Sequence, residues 1–284
     1  TGLLIFMGWL FGSFFLLGVF FLLKDMFSFV ILLWRRIRRT RKPPFSPNRV
    51  NAVLLTAALV LSGIGVWQAV RVPDVKMVDI AIKGLPSEMD GLKIVQLSDL
   101  HASRLLTGER NRAVVDKTNA LNPDLILVTG DLVDGTVENR VDDVAPFRDF
   151  RAKYGVFSIP GNHEYYSSYV DWMKAFDGLG LNMLKNGHAV VIVNDRPLVI
   201  AGTTDRVAPN FGLPRPDIRG ALNGIPDNAP VILLAHQPRG ASQNAEAGVD
   251  LQLSGHTHGG QIMGAHWLVQ LLNEGFVSGL YDVG

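Results

Sequence analysis

The chain has 284 residues, enough for one large domain or two ordinary ones. Its formal net charge of +1 excludes a general nucleic-acid-binding surface, and the absence of cysteine excludes disulfides and thiolate metal sites. Apolar residues make up 48 % of the chain and are unevenly spread.

Residues 2–23, GLLIFMGWLFGSFFLLGVFFLL, carry no charge. A helix of that length spans roughly 30 Å, the thickness of a bilayer's hydrocarbon core. A second uncharged run, VNAVLLTAALVLSGIGVWQAV, covers residues 50–70. A buried core helix seldom stays apolar all round for five or six turns, so both runs read as membrane spans. A cleaved signal peptide fits poorly, because the first run lacks a basic segment before it. Residues 26–34 are too few to span and are expected to continue the first helix or lie along the interface, with Trp34 as an anchor.

Next comes a basic cluster: Arg35, Arg36, Arg38, Arg39, Arg41 and Lys42. Short loops rich in Lys and Arg stay in the cytoplasm, which places the 35–49 loop inside and everything after Arg71 outside. Residues 1–70 therefore read as a membrane anchor, and 71–284 as an extracytoplasmic domain of a multi-pass protein of the cell membrane. The charge supports the division: the anchor holds eight basic residues and one acid, the remainder 19 basic and 25 acidic. The chain starts at Thr1 inside an apolar run and stops at Gly284 just after GLYDV, so both ends read as cut.

After Pro73 short β-rich runs alternate with amphipathic segments. Strands are expected at 75–82, 92–97, 125–128, 156–159, 190–193, 198–201, 231–235 and 251–253. Helices are expected at 109–122, 142–154, 169–179 and 217–223. Alternating elements of these lengths predict a layered α/β structure. Consecutive strands without a helix in NGHAVVIVNDRPLVIAG predict mixed rather than purely parallel sheets.

The informative residues follow the apolar runs. LKIVQL leads into Asp99 and His101, LILVT into Asp131 and Asp134, VFSIP into Asn162 and His163. VILLA leads into His236, and LQL into His256 and His258. In open α/β sheets ligands bind beyond the carboxyl ends of the strands, and five such exits here deliver a carboxylate, amide or imidazole. Residues i and i+2 of an extended segment point to one side, so Asp99 with His101, and His256 with His258, can each aim two ligating atoms at one place. Each motif alone has a plainer reading as a cap, turn or satisfied polar residue. Together and in order they predict a metal site.

This pattern, DxH, GDxxD, GNHE, H and GHxH, resembles the calcineurin-like metallophosphoesterases, and over residues 92–262 every block is present. The two leading spans resemble a membrane-anchored bacterial branch. The resemblance implies a four-layer α/β/β/α sandwich and a dinuclear centre. It also implies a final strand-rich segment, which 71–284 does not reach, so the domain is expected to be truncated. Carried over, Asp99, His101 and His258 would hold one metal. Asn162, His236 and His256 would hold the other, with Asp131 bridging. The mixed N/O donor set suits Mn, Fe, Zn or Co better than Ca or Mg.

The resemblance further implies hydrolysis of a phosphate ester by hydroxide that the two cations generate. His163 would be a non-ligand acid that protonates the leaving group, oriented by Asp134. Tethering beside a bilayer favours a phospholipid, lipid-linked or cell-envelope phosphodiester, or a small extracytoplasmic phosphate ester, over a phosphoprotein. Two rival readings stand beside it: a non-catalytic interaction module of the same fold at the membrane, and a transporter with a regulatory domain. Asp131 and His163 both being present favours the enzyme.

Overall fold

A computed structural model describes residues 2–38, 46–260 and 266–283. The chain divides into two units, Thr1–Val72 and Pro73–Gly284. Arg39, Arg41 and Lys42 of the basic cluster lie outside the described residues, as do the last two positions of the 92–262 stretch.

In the first unit, helix α1 runs unbroken over Gly2–Arg38 and α2 over Pro47–Val70. The segment 26–34 thus continues the first helix. Both helices are long and apolar enough to cross a membrane. They pack along a seam of small residues, where Ser13, Ala58 and Ser62 are buried. The Trp9 indole donates to the Leu59 carbonyl at 2.9 Å, and Ser62 Oγ donates to the Trp9 carbonyl at 2.8 Å. Small side chains let two backbones approach closely enough for such bonds where no water competes.

The second unit holds two four-stranded sheets. The first has β1 (Ile94–Leu97), β2 (Leu125–Val128), β3 (Val156–Ser158) and β4 (Asn182–Met183), in that order and all parallel. The second has β5 (Gly187–Val193), β6 (Arg196–Gly202), β7 (Val231–Leu234) and β8 (Leu251–Leu253). Among the described strands only β5 and β6 run antiparallel, joined through Asn194 and Asp195, both at positive φ as a tight hairpin requires. The expected mixed pairing is present in the second sheet, while the described strands of the first are all parallel. Each parallel pair needs a crossover, and the intervening helices supply it.

Alternation along the strands assigns the layers. Leu125 and Leu127 of β2 share one buried cluster with Leu198 and Ile200 of β6 and with Ile232 and Leu234 of β7. That cluster is the interior between the sheets, and each fully buried Leu or Ile there contributes about 1.5–3 kcal/mol. Ile126 and Val128 point the other way and are buried too, as expected of a parallel strand covered on both faces. The opposite face of the second sheet, with Val199, Ala201, Val231 and Leu233, packs against Ile218 and Leu222.

The helices are α3 (Gly108–Ala120), α4 (Val137–Val144), α5 (Asn162–Tyr166), α6 (Tyr169–Gly178), α7 (Ile218–Ala221), α8 (Ala241–Glu246) and α9 (His266–Leu272). Helices over two sheets over helices make the α/β/β/α sandwich.

Three expectations need correction. The 142–154 helix starts earlier, at Val137, and yields to a 3-10 turn at Ala145–Asp149. Pro146 lacks the N–H that a continuing helix needs, and Asn119 clamps the exit, donating to the Asp149 carbonyl and accepting from the Arg151 amide. The 217–223 helix is one turn, closed by Asp217 accepting from the Gly220 amide at 2.9 Å. Residues 75–82 form no strand and pair with none of the described strands; Met77 stays 75 % exposed.

Candidate metal centre

The carboxyl ends of β1, β2, β3, β7 and β8 bring their exit loops together. Backbone pairing continues past β1 and β2, with Asp99 N donating to Gly130 O and His101 N to Asp131 O, both at 3.0 Å. Gln96 ties the two sheets there, its amide donating to Thr129 Oγ1 and to the Ser254 carbonyl.

The paired ligands do not lie on extended backbone, which corrects the reason given for their common aim. Asp99, His101, Asp131, His256 and His258 all have positive φ, between 45° and 69°. Left-handed backbone costs a non-glycine residue roughly 1–2 kcal/mol, and such strain concentrates where geometry serves a site. Two glycines make the crowding possible. A Cβ on Gly161 would strike the Asp131 carboxylate, and one on Gly255 would strike Ser98 Oγ and the Asp99 carboxylate.

All nine residues singled out in the sequence meet. His258 Nε2 lies 3.2 Å from Asp99 Oδ1 and 3.3 Å from His101 Nε2. His101 Nε2 stands 3.7 Å from Asp131 Oδ2. On the other side of that carboxylate, His236 Nε2 lies 3.1 Å from Asp131 Oδ2 and 3.1 Å from Asn162 Oδ1, with His256 Nδ1 2.9 Å from the same Asn162 oxygen. Asp99, His101 and His258 form one group able to hold a cation, and Asp131, His236 and His256 a second.

The donor chemistry fits cations. His236 Nδ1 donates to the Thr129 carbonyl at 2.7 Å, so in the neutral ring Nε2 carries a lone pair. That lone pair faces two oxygens that also offer only lone pairs. A proton or a metal must sit between them. Without a metal, Asp131 does raise His236 to about 9 even though burial pulls it down. Burial and the neighbouring His236 push His256 the other way. Burial opposes ionisation of Asp99 too, but the His258 bond and the His236 charge hold its carboxyl well below the usual range. The donors are imidazole nitrogens and carboxylate or amide oxygens with no thiolate, a set able to hold a divalent cation.

Asp134 serves two imidazoles. Its Oδ1 accepts from His101 Nδ1 at 3.1 Å and from His163 Nδ1 at 2.5 Å. A carboxylate only accepts, so both Nδ1 atoms carry the proton and both Nε2 atoms turn inward. For His101 this is the usual carboxylate support of a metal-binding imidazole. For His163, whose Nε2 stands 4.0 Å from Asp131 Oδ2, the Asp134 bond raises the pKa against the effect of burial.

Two supporting residues were not given roles from the sequence. Glu164 is fully buried and accepts from four backbone amides: Gly161 and Asp131 on Oε2, Leu132 and Val133 on Oε1. Burial and the Asp131 charge push it up to about 7, against those four bonds. An acid three residues into a helix start is a capping signal, and GNHE shows it. Asp205, past β6, is the second. Buried, it receives Gln237 Nε2 at 3.1 Å on both oxygens, beside His236. The strand-exit rule that found the others also applies to LVIAGTTD.

A fold of this layering with such a convergence of carboxylate and imidazole belongs to a metal-dependent class. The model of the calcineurin-like phosphoesterases matches residues 92–260, and the chain is a member of that family. A "transmembrane protein with metallophosphoesterase domain" of Danio rerio is 35 % identical over 245 residues, 82 % of this chain and 55 % of its own. The Bos taurus protein of that name is 34 % identical over 276 residues, 90 % and 60 % of the two chains. A metallophosphoesterase of Campylobacter jejuni is 33 % identical over 239 residues, 83 % and 60 %. The chain thus spans a little over half the length of these relatives.

Proposed function

We propose that this chain is a metal-dependent phosphoester hydrolase tethered to a membrane. The observation that carries the reading is the convergence of Asp99, His101, Asp131, Asn162, His236, His256 and His258 from five strand exits: Asp99, His101 and His258 make one cation-sized group, Asp131, His236 and His256 another, and Asp131 Oδ2 lies 3.7 Å from His101 Nε2 and 3.1 Å from His236 Nε2. Family membership supports the reaction class, and the nitrogen–oxygen donors favour Mn, Fe, Zn or Co. Bound there, two divalent cations supply a water of lowered pKa and positive charge facing the phosphoryl oxygens.

The chain's own residues do the rest. Backbone amides fix the carboxylates: His163 N donates to Asp131 Oδ1, and His256 N donates to the Asp99 carboxylate. His163, protonated on both nitrogens, presents Nε2–H to the leaving oxygen and gives up that proton as the ester bond breaks. Asp134 fixes the ring and favours its charged form. Asn162 Oδ1 fills the second group where a further carboxylate would add negative charge.

The two apolar helices and the relatives named as transmembrane proteins support residues 1–70 as a membrane anchor and 71–284 as the hydrolase domain. Arg35, Arg36 and Arg38 at the end of α1 and Arg49 at the start of α2 support a cytoplasmic turn and an extracytoplasmic domain. A site so placed suits phosphodiesters of lipids or of the cell envelope.

The test is hydrolysis of aryl phosphate mono- and diesters by the detergent-solubilised full chain loaded with manganese, iron or zinc. Turnover that falls by about 100-fold or more in His163→Ala, with metal content unchanged, is the expected outcome. Metal binding without any turnover in the wild type would instead favour the non-catalytic membrane module.

A further inference from the structure

Beside His163 stands a pair of exposed aromatic rings that the metal chemistry does not use. Tyr166, at the end of α5, lies edge to face with the His163 imidazole, ring centroids 5.6 Å apart. Phe211, in the loop after β6, lies 5.9 Å from Tyr166 with the two planes inclined at 50°. Tyr166 is 58 % exposed and Phe211 46 %.

The pair is held from behind. Tyr165 is buried, stacks on Tyr169 at 4.4 Å and lies 6.1 Å from Phe211. Its hydroxyl accepts from the Asp205 amide, at the root of the loop that carries Phe211. The Gln237–Asp205 bonds fix that root next to His236. Two chain segments far apart in sequence are thus fastened so that two large rings remain open to solvent at the rim of a charged site. A pair of exposed rings in a fixed relation, flanking the proton donor, is a binding feature in search of a flat partner.

We propose that Tyr166 and Phe211 form the subsite for the leaving group, and that this group carries a planar unsaturated ring. The inference rests on the phosphoester reading above. A leaving oxygen that takes its proton from His163 must come within hydrogen-bond reach of Nε2, about 3 Å. Two rings abut His163, His101 on the side of the metal-ligand cluster at 4.5 Å and the exposed Tyr166 at 5.6 Å. The substituent on that oxygen, leaving the cluster toward solvent, emerges beside Tyr166. A planar ring there covers the exposed face of Tyr166 and meets Phe211 on the far side. Offset or edge-on ring contacts favour it over a flexible chain of equal size, which would lose rotational freedom on the same surface. Tyr166 and Phe211 are specificity-determining residues on this account and take no part in proton transfer.

The experiment uses the metal-loaded full chain in detergent and three non-hydrolysable probes: benzylphosphonate, hexylphosphonate and methylphosphonate. Dissociation constants are measured by titration calorimetry. Benzylphosphonate is expected to bind more tightly than methylphosphonate, and hexylphosphonate to gain less. That benzyl preference should fall about threefold to tenfold in Tyr166→Ala and in Phe211→Ala and persist in Tyr166→Phe. Equal affinity for benzyl and hexyl probes, or a preference unchanged in both alanine variants, overturns the subsite. Failure of all three probes to bind metal-loaded protein overturns the phosphoester reading itself, and the subsite with it.

Discussion

Glu164 shows how much of the centre is built by a residue that would touch no cation. Its two oxygens take four amide protons from the two loops that carry Asp131 and Asn162. Glu164→Gln keeps the shape, but replaces one acceptor by an amide whose protons face other protons. The bridging carboxylate would lose its fixed backbone. Metal affinity, measured by competition with a chelator, is expected to weaken about 10–100-fold, as for other supporting residues around metal sites. A variant that melts earlier yet binds metal as tightly as the wild type would show that Glu164 only stabilises the fold. The residue is legible in the sequence as part of GNHE, but three of its four partners are backbone amides 31 to 33 residues away, and side-chain spacing carries no trace of those. The candidate ligands were legible for the opposite reason: their own side chains carry the chemistry, and each follows an apolar run.

At the scale of elements, the central strands were easy to read because β2 and β7 are short, wholly apolar and buried along their length. Their bounds in the structure agree with the expected 125–128 and differ by one residue from 231–235. Leu127, fully buried in the cluster between the sheets, tests whether that interior holds the unit together. Leu127→Ala should cost about 2–5 kcal/mol, read as an earlier unfolding transition of the solubilised chain. A change within error would mean that the sheets do not depend on their shared face. Elements set by tertiary partners were harder to read. The alternation at 75–82 looked like a strand, but a strand exists only where it pairs with another, and these residues pair with none of the described strands. Helix α5 begins at Asn162, inside a stretch read only as a strand exit. The left-handed turns were also hidden, since Asp and His adopt them only where the surroundings enforce it.

The whole molecule joins an apolar pair of helices to a layered domain with a charged crevice at one end. A near-neutral total charge concealed that division, and splitting the chain at residue 70 exposed it: one acid before, 25 after. Each unit can be read from its own pattern, the first from uninterrupted hydropathy and the second from alternation and strand exits. On the proposed function, Asp99, His101 and His258, and Asn162, His236 and His256, would hold two cations across Asp131. Elemental analysis of the purified full chain, offered manganese, iron or zinc and then freed of excess, tests it most directly. The expected result is close to two divalent ions per chain in the wild type, with the site emptied or scrambled in Asp131→Ala. Well-folded wild-type protein that retains no metal, or an Asp131→Ala variant that retains the full complement, would contradict it.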